Sequence, residues 1–339
     1  GLVKASILLM ALGEDLAAFQ LEFTALPNQP AISVTGFTKG THTFAWNGGD
    51  GLGTPLQDGT YTVQLRGRDK GGNVGTFAIG SIQIDTEPPT ISQVTPGHNA
   101  FQNTPIKTVD VSFNAGGGSL IDFNPAVTKI ALKNANGTPI TGSLSNSESD
   151  KRVALTLDQS LDTSDENGIY TITFDGADKA GNKVRSDDPL RVTRFTFDTV
   201  TPIVTKVTAG GQELKLNDAS VVLPASGTIQ IEAFDATNID FSATNITLTS
   251  PTNQPVVFTR ENKKGADGKV TMILNYGGLQ EEGTYALQIV SLRDLAGNTL
   301  SNLRYPFRHF VTPLNAPTIV STTPRNEEGI HIQLTFVEA

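Results

Sequence analysis

Hydrophobic and polar residues alternate along most of this chain in short runs separated by turn-forming residues. Tyr61-Thr-Val-Gln-Leu65, Val109-Asp-Val-Ser-Phe113, Tyr170-Thr-Ile-Thr-Phe174, Ile229-Gln-Ile-Glu-Ala233 and Ile332-Gln-Leu-Thr-Phe336 each place apolar side chains at every second position. A period of two is that of a strand with one face buried and one face wet. The runs are rich in Val, Ile, Thr, Phe and Tyr, and Gly, Asn, Asp and Pro stand between them, so the pattern predicts an all-β chain with almost no helix. The start of the chain reads differently. Ser6-Ile-Leu-Leu-Met-Ala-Leu12 behind Lys4 has the look of a short signal-peptide core but lacks a cleavage context. A buried strand or a short helix is expected there, with Glu14-Asp-Leu-Ala-Ala-Phe19 favouring helix.

The strands recur in a fixed order. Tyr61, Tyr170 and Tyr285 lie 109 and 115 positions apart, each two residues after a glycine (Gly59, Gly168, Gly283). Each opens a strand that runs into Asp-x-x-Gly-Asn: Asp69 with Asn73, Asp178 with Asn182, Asp294 with Asn298. A second phrase punctuates the array. Ile84-Asp-Thr-Glu-Pro-Pro-Thr-Ile91 matches Phe197-Asp-Thr-Val-Thr-Pro-Ile-Val204, and Phe310-Val-Thr-Pro-Leu-Asn-Ala-Pro-Thr-Ile-Val320 is a looser third version. Prolines between strands make poor ladder members and good semi-rigid connectors, so these phrases read as module boundaries. Units of roughly 110 residues with short alternating strands describe β-sandwiches. The expected division is 1–86, 87–198 and 199–312, each a β-sandwich module, with 313–339 the linker and opening strands of a further, truncated one. Either the sequence is a piece of a longer protein, or its closing strands dock on something else. If Ala339 were a natural end, the alternating and unpaired Ile330–Phe336 would be a template for completing the first module of another subunit in a filament.

The repeated phrase has two readings. In the first it is scaffolding. Tyr61, Tyr170 and Tyr285 then make tyrosine corners whose phenols bond the backbone upstream. Gly72, Gly181 and Gly297 take the left-handed position of a tight turn, and the aspartates cap turn amides. In the second, the turns and the linker aspartates hold calcium and stiffen the junctions. The candidate ligands are Asp69, Asn73, Asp85, Asp178, Asn182, Asp198, Asp294 and Asn298. The third linker carries Val311 where the others have Asp85 and Asp198, so that junction lacks the ligand. The Asp162–Gly168 loop resembles an EF-hand only superficially, with Thr163 first and Phe174 in place of the bidentate Glu.

Composition narrows the function classes. At 339 residues and 37% hydrophobic, the chain has material for several cores. A net charge of -9 argues against nucleic acid, which needs clustered Lys and Arg. There is no cysteine, hence no disulfide and no thiolate metal site, and no apolar run reaches the roughly 18 residues of a membrane span. The four histidines, His42, His98, His309 and His331, are not at metal-ligand spacing. No Gly-x-Ser-x-Gly elbow is present, and Ala115-Gly-Gly-Gly-Ser119 lacks the Gly-Lys-Ser/Thr of a phosphate cradle. Asp187-Asp188 and Glu281-Glu282 sit among turn residues and read as solvated loop charges rather than a glycosidase pair. Trp46, the single tryptophan, is expected in a core, with an exposed sugar-stacking platform as the alternative.

Tyr-x-(Val/Ile) followed by Asp-x-Ala-Gly-Asn and then Asp-Thr-x-x-Pro resembles the bacterial immunoglobulin-like tandem repeats of large surface and secreted proteins, over most of residues 88–339. The first module, His42-Thr-Phe-Ala-Trp-Asn-Gly-Gly through Asp-Gly-Thr-Tyr61, is similar to the Ig-like module of flagellar hook-capping proteins, in which a Trp-x-Gly strand packs across the sandwich. The resemblance implies a non-enzymatic, extracellular bacterial array acting as stalk, spacer, or lattice or filament subunit, with an adhesive role within its range. Its partners would be other modules of the same longer chain, identical subunits or a surface ligand. The alternative is a set of accessory or carbohydrate-binding modules of a larger secreted enzyme. No cofactor is expected beyond structural calcium.

Overall fold

The structure is a computed structural model and describes residues 5–9, 16–24, 42–46, 54–69, 72–114, 119–147, 151–311, 318–325 and 331–337. The side chains of residues 1–53, 63–71, 74, 76–79, 115–118, 147–150 and 312–339 lie outside that description. The chain forms two compact units, Gly1–Phe197 and Asp198–Ala339.

The first unit opens with β1 (Ala5–Leu9), β2 (Leu16–Thr24), β3 (His42–Trp46), β4 (Gly59–Asp69) and β5 (Val74–Ile84). It continues with β6 (Thr90–Thr95), β7 (Ala100–Gln102), β8 (Ile106–Asn114), β9 (Lys129–Lys133), β10 (Pro139–Ile140), β11 (Gly142–Ser147), β12 (Arg152–Leu161), β13 (Gly168–Asp175) and β14 (Val192–Phe197). The second unit has β15 (Ile203–Ala209), β16 (Gln212–Glu213), β17 (Gly227–Phe234), β18 (Asn245–Thr249), β19 (Phe258–Lys264), β20 (Lys269–Tyr276), β21 (Gly283–Arg293), β22 (Thr299–His309), β23 (Thr318–Arg325) and β24 (His331–Val337). The expected all-β character holds.

After Ile84 the first unit contains a five-stranded sheet, β10-β9-β13-β14-β7, and a four-stranded sheet, β11-β12-β8-β6. Strand pairs are antiparallel except β14 with β7. Val109, Val111 and Phe113 of β8 and Val153, Leu155 and Leu157 of β12 are buried against Ile130, Leu132, Tyr170, Ile172, Phe174, Phe195 and Phe197 of the other sheet. This is the alternation read from the sequence, now facing a partner sheet. The second unit repeats the plan with β16-β15-β17-β20-β19 against β18-β21-β22. Its core runs from Ile229, Ile231, Met272 and Leu274 to Leu248, Tyr285, Leu287, Ile289 and Phe307. The edge strand β19, Phe-Thr-Arg-Glu-Asn-Lys-Lys, is exposed along almost its whole length, and its charges discourage pairing with another chain. Irregularities at Ile91/Gln93 and at Val204/Lys206 bend β6 and β15 at corresponding places, just past each proline linker.

Two expectations are corrected. The helix favoured at Glu14–Phe19 does not form over its described part, because from Leu16 the chain is β2, with Phe19 opposite Gly67 and Leu21 opposite Leu65 of β4. The helix preference of Leu and Ala is a fraction of a kcal/mol per residue, and a ladder along a whole strand outweighs it. Ser6–Leu9 likewise lies in β1, paired with β3, and Trp46 stands opposite Ala5 in that pair. The choice for Trp46 between core and sugar platform lies outside the described side chains. The closing strand is also not unpaired: β24 lies antiparallel to β23, Thr318 opposite Val337 and Arg325 opposite His331.

Phe307 is fully buried at the centre of the second core. Phe307→Ala is expected to cost about 3–5 kcal/mol, whereas Lys263→Ala on the exposed edge changes stability by about 0.5 kcal/mol or less. Urea unfolding midpoints at unchanged slope read both.

Candidate functional site

The Gly-x-Tyr element folds as the tyrosine-corner reading expects. The Tyr61 hydroxyl donates to the Gln57 carbonyl at 2.8 Å and the Tyr170 hydroxyl to that of Glu166 at 2.6 Å, while the Tyr285 hydroxyl oxygen accepts the Glu281 N–H at 3.1 Å. Tyr170 stacks on Phe195 with ring centroids 5.3 Å apart, and Tyr285 on Phe307 at 5.7 Å. Burial, then the nearby carboxylates of Asp58 and Glu166, push the Tyr61 and Tyr170 phenols upward and keep them protonated donors. The Asp162–Gly168 loop is closed on itself. Glu166 Oε2 accepts the Asp162 and Thr163 amides at 2.7 and 3.0 Å and the Thr163 hydroxyl at 3.1 Å. Burial works to raise the Glu166 carboxyl, but these bonds outweigh it and hold the group below its ordinary value.

The Asp-x-x-Gly-Asn turns are knots that reach beyond their hairpins. In the first unit Asp178 Oδ1 accepts the Asn182 backbone N–H at 2.8 Å and Oδ2 the Asn182 side-chain amide at 2.9 Å. Gly181, at φ +91, closes the turn with its N–H on the Asp178 carbonyl. The Asn182 amide also donates to the carbonyl of Asp85 in the preceding linker at 2.9 Å. Asp85 in turn uses Oδ1 for the Glu87 N–H and Oδ2 for the Ser119 N–H, at 3.0 and 2.9 Å. All three side chains are buried.

The second unit builds the same knot. Asp294 Oδ1 accepts the Gly297 and Asn298 amides at 2.6 and 2.8 Å, and Oδ2 the Asn298 side chain at 2.8 Å. Asn298 Nδ2 reaches the Asp198 carbonyl at 2.8 Å, and Asp198 Oδ1 accepts the Val200 N–H at 3.0 Å. Gly297 takes φ +100. The eight candidate ligands thus divide. Asp85, Asp178 and Asn182 meet in one unit, and Asp198, Asp294 and Asn298 in the other. In the first turn Gly72 has φ +90 and Asn73 is exposed, while the Asp69 side chain lies outside the described residues.

A third carboxylate, which the repeat did not reveal, joins the second knot. Asp235 follows β17. Its N–H donates to the Gly268 carbonyl at 3.1 Å, and its Oδ1 accepts the Thr237 N–H and hydroxyl, both at 2.7 Å. None of the hydrogen bonds it receives reaches Oδ2. Gly268, at φ +79, is required beside it, since a Cβ there would stand 1.9 Å from the Asp235 carbonyl oxygen. One carboxylate oxygen from each of Asp198, Asp235 and Asp294 lies within 4.8 Å of the other two. The residues are 2%, 3% and 1% exposed. Asp198 Oδ2 is buried and accepts no hydrogen bond. Burial raises the Asp235 carboxyl against its bonds to Thr237, and the charges of Asp294 and Asp198 raise it further. Asp294 is raised in the same way, by burial first and by Asp198, against its bonds to Asn298 and Gly297. Among the described residues no Lys, Arg or His pairs with Asp235 or Asp294. In the first unit the corresponding position is Ala115, and Ser119, the counterpart of Thr237, gives its N–H directly to the linker aspartate. The signal for Asp235 is local only: an Asp two residues before a Thr at a strand end, the pattern of a side chain that bonds its own backbone.

Other groups carry less chemistry. A surface hollow of about 510 Å³ is bordered by Asp175, Lys183, Ser186 and Arg191, with Arg191 paired to Asp175, and its lining holds no histidine. His309 is buried, with Nδ1 2.9 Å from the Leu223 carbonyl and its ring edge-on to Tyr285, and His98 is exposed.

Two outcomes follow. Asn298→Ala removes donors from the Asp198 carbonyl and from Asp294 Oδ2, and is expected to cost about 2–3 kcal/mol in denaturant unfolding; Asn182→Ala costs the same in the first unit. Asp235 and Asp294 hold protons more tightly folded than at the ordinary 3.8. In metal-free buffer this raised affinity stabilises the unit most below that value, and stability is lost as pH rises through the raised range. Asp240, lowered chiefly by the Ser242 hydroxyl, weakens the fold only as pH falls below 3.8 and does not mask the trend. Chelator-treated melts from about pH 4 to about pH 8 should show the decline, flattened in Asp235→Asn.

Comparison with known proteins gives one family match. Residues 85–199 match the model of a bacterial Ig-like domain, Big_5. No curated protein matches the chain. Among solved structures, the titin I-band fragment I67–I69 is 11% identical and aligns over 91% of this chain and 92% of its own, at a TM-score of 0.34. CopC from Methylosinus trichosporium OB3b is 16% identical over 32% of this chain and 93% of its own, at 0.26. The N-terminal part of the bacterial S-layer protein SbsC is 16% identical over 65% of this chain and 44% of its own, at 0.24. TM-scores this low carry no weight for function. No helix among the described residues is long and apolar enough to cross a membrane. Residues 85–199 match a bacterial Ig-like domain, and past Ile84 the described residues of each unit pack as a β-sandwich.

Proposed function

We propose that this chain is a non-catalytic spacer or scaffold, a row of Ig-like modules in a bacterial surface or secreted protein. The modules are 1–86, 87–198 and 199–312, with 313–339 opening another. The observation that carries this reading is the knot built twice. Asn182 grips the carbonyl of Asp85 and Asn298 that of Asp198, so in each case the turn that ends one hairpin secures a module's own leading linker. A binding or catalytic module would instead converge polar groups on a cleft. Carbohydrate-binding modules of a larger enzyme would show a row of exposed aromatics. Among the described residues the exposed large aromatics are Phe101 and Phe310, one in each unit.

A spacer of this kind yields module by module under load. Pulling the chain by its ends should give separate unfolding events, each releasing about 40 nm for a module of roughly 110 residues. Surface placement predicts that protease added to intact source cells cleaves the chain. A single concerted unfolding event would contradict the modular spacer, and protection on intact cells would contradict the extracellular placement.

A further inference from the structure

We propose that Asp198, Asp235 and Asp294 form a binding site for one hard divalent cation of the calcium type. The inference does not depend on the spacer reading. Three carboxylates come from three separate segments: the linker, the end of β17 and the hairpin turn before β22. Their oxygens converge within 4.8 Å. Calcium binds oxygen at about 2.4 Å, so two oxygens on one ion stand no more than about 4.8 Å apart. The donor set is all oxygen and strongly acidic, which suits calcium and excludes the nitrogen- and sulfur-preferring metals.

The second, independent observation is the state of Asp235. It is 3% exposed, both hydrogen bonds its side chain receives fall on Oδ1, and no basic side chain among the described residues pairs with it. A buried carboxylate beside two others, with one oxygen unbonded, is costly unless a proton or a cation joins it. The surrounding bonds hold the three groups in place from behind. Thr237 orients Asp235, Asn298 and Gly297 orient Asp294, and Val200 orients Asp198. The contrast with the first unit points the same way. There the linker carboxylate of Asp85 accepts the Ser119 N–H, and among the described residues no third acid joins it. An ion in the second unit would do for its linker what a peptide N–H does in the first.

The test is calorimetric titration of calcium chloride into the full, chelator-stripped chain at neutral pH. One ion per chain should bind, with affinity reduced at least about tenfold in Asp235→Asn and in Asp198→Asn and unchanged in Glu232→Gln, an exposed acid on the same strand. Thermal melts add a readout that loss of packing would not mimic. In chelator Asp235→Asn should melt above the parent, because a like charge is gone. In millimolar calcium the order should reverse, with the parent transition raised by about 5 °C or more. Absence of binding up to about 10 mM calcium, or unaltered binding by Asp235→Asn, would overturn the proposal in favour of carboxyls that share protons. Equal protection by magnesium would overturn the assignment to calcium.

Discussion

A carboxylate can be taken out of water only if something replaces the water, and that demand organises the ends of these sandwiches. Asp178 and Asp294 are buried, and each meets the demand within four residues through a left-handed glycine and an asparagine whose backbone and side chain both donate. The asparagine amide has a second hydrogen, and in both units it goes to the carbonyl of the linker aspartate. One short turn therefore closes a hairpin and seizes the strand leading into its module. A backbone carbonyl drawn into the interior is costly without a donor, so the linker's path and the turn's conformation hold each other in place.

The two copies balance their charges differently. In the first, two carboxylates share neutral donors, with the Ser119 amide completing the set. In the second, the homologous amide is taken by Asp235, and a third negative charge enters where a peptide N–H stood. Burial, and after it the charge of Asp198, raises both Asp235 and Asp294. Such an arrangement costs folding free energy on its own, which the proposed cation would offset. The two versions of the scaffold differ by a loop that reads Ala115-Gly-Gly-Gly118 in one and Asp235-Ala236 in the other.

Much of this was legible from the chain itself. Gly-x-Tyr followed by an alternating strand announced the corners, because a phenol, a flexible residue and a period of two are local features repeated in register. The left-handed glycines were legible for the same reason. The partnership between Asp85 and Asn182 was not, since they are 97 residues apart and meet only when the sandwich closes. Asp235 was invisible because it belongs to no repeated phrase, and a single acid after a strand is common. The helix favoured at Glu14–Phe19 failed because Leu16–Thr24 finds a ladder partner in β4, a long-range fact that residue preferences do not contain. The pairing of β24 with β23 is different. It is a local hairpin with Arg325 opposite His331, which the alternation at Ile332–Phe336 left without a partner because the looser linker phrase hid β23.

If the knots are integral to the fold, their amides must open only when the unit opens. Native-state hydrogen exchange of the Asn182, Ser119, Asn298 and Thr237 N–H groups measures this directly, against core amides such as those of Val111 and Ile231. The account predicts that Asn182 and Ser119 exchange with the same opening free energy and denaturant dependence as Val111, and Asn298 and Thr237 as Ile231. Exchange of the knot amides at rates near those of unstructured chain, with the core still protected, would contradict it and reduce the knots to surface turns.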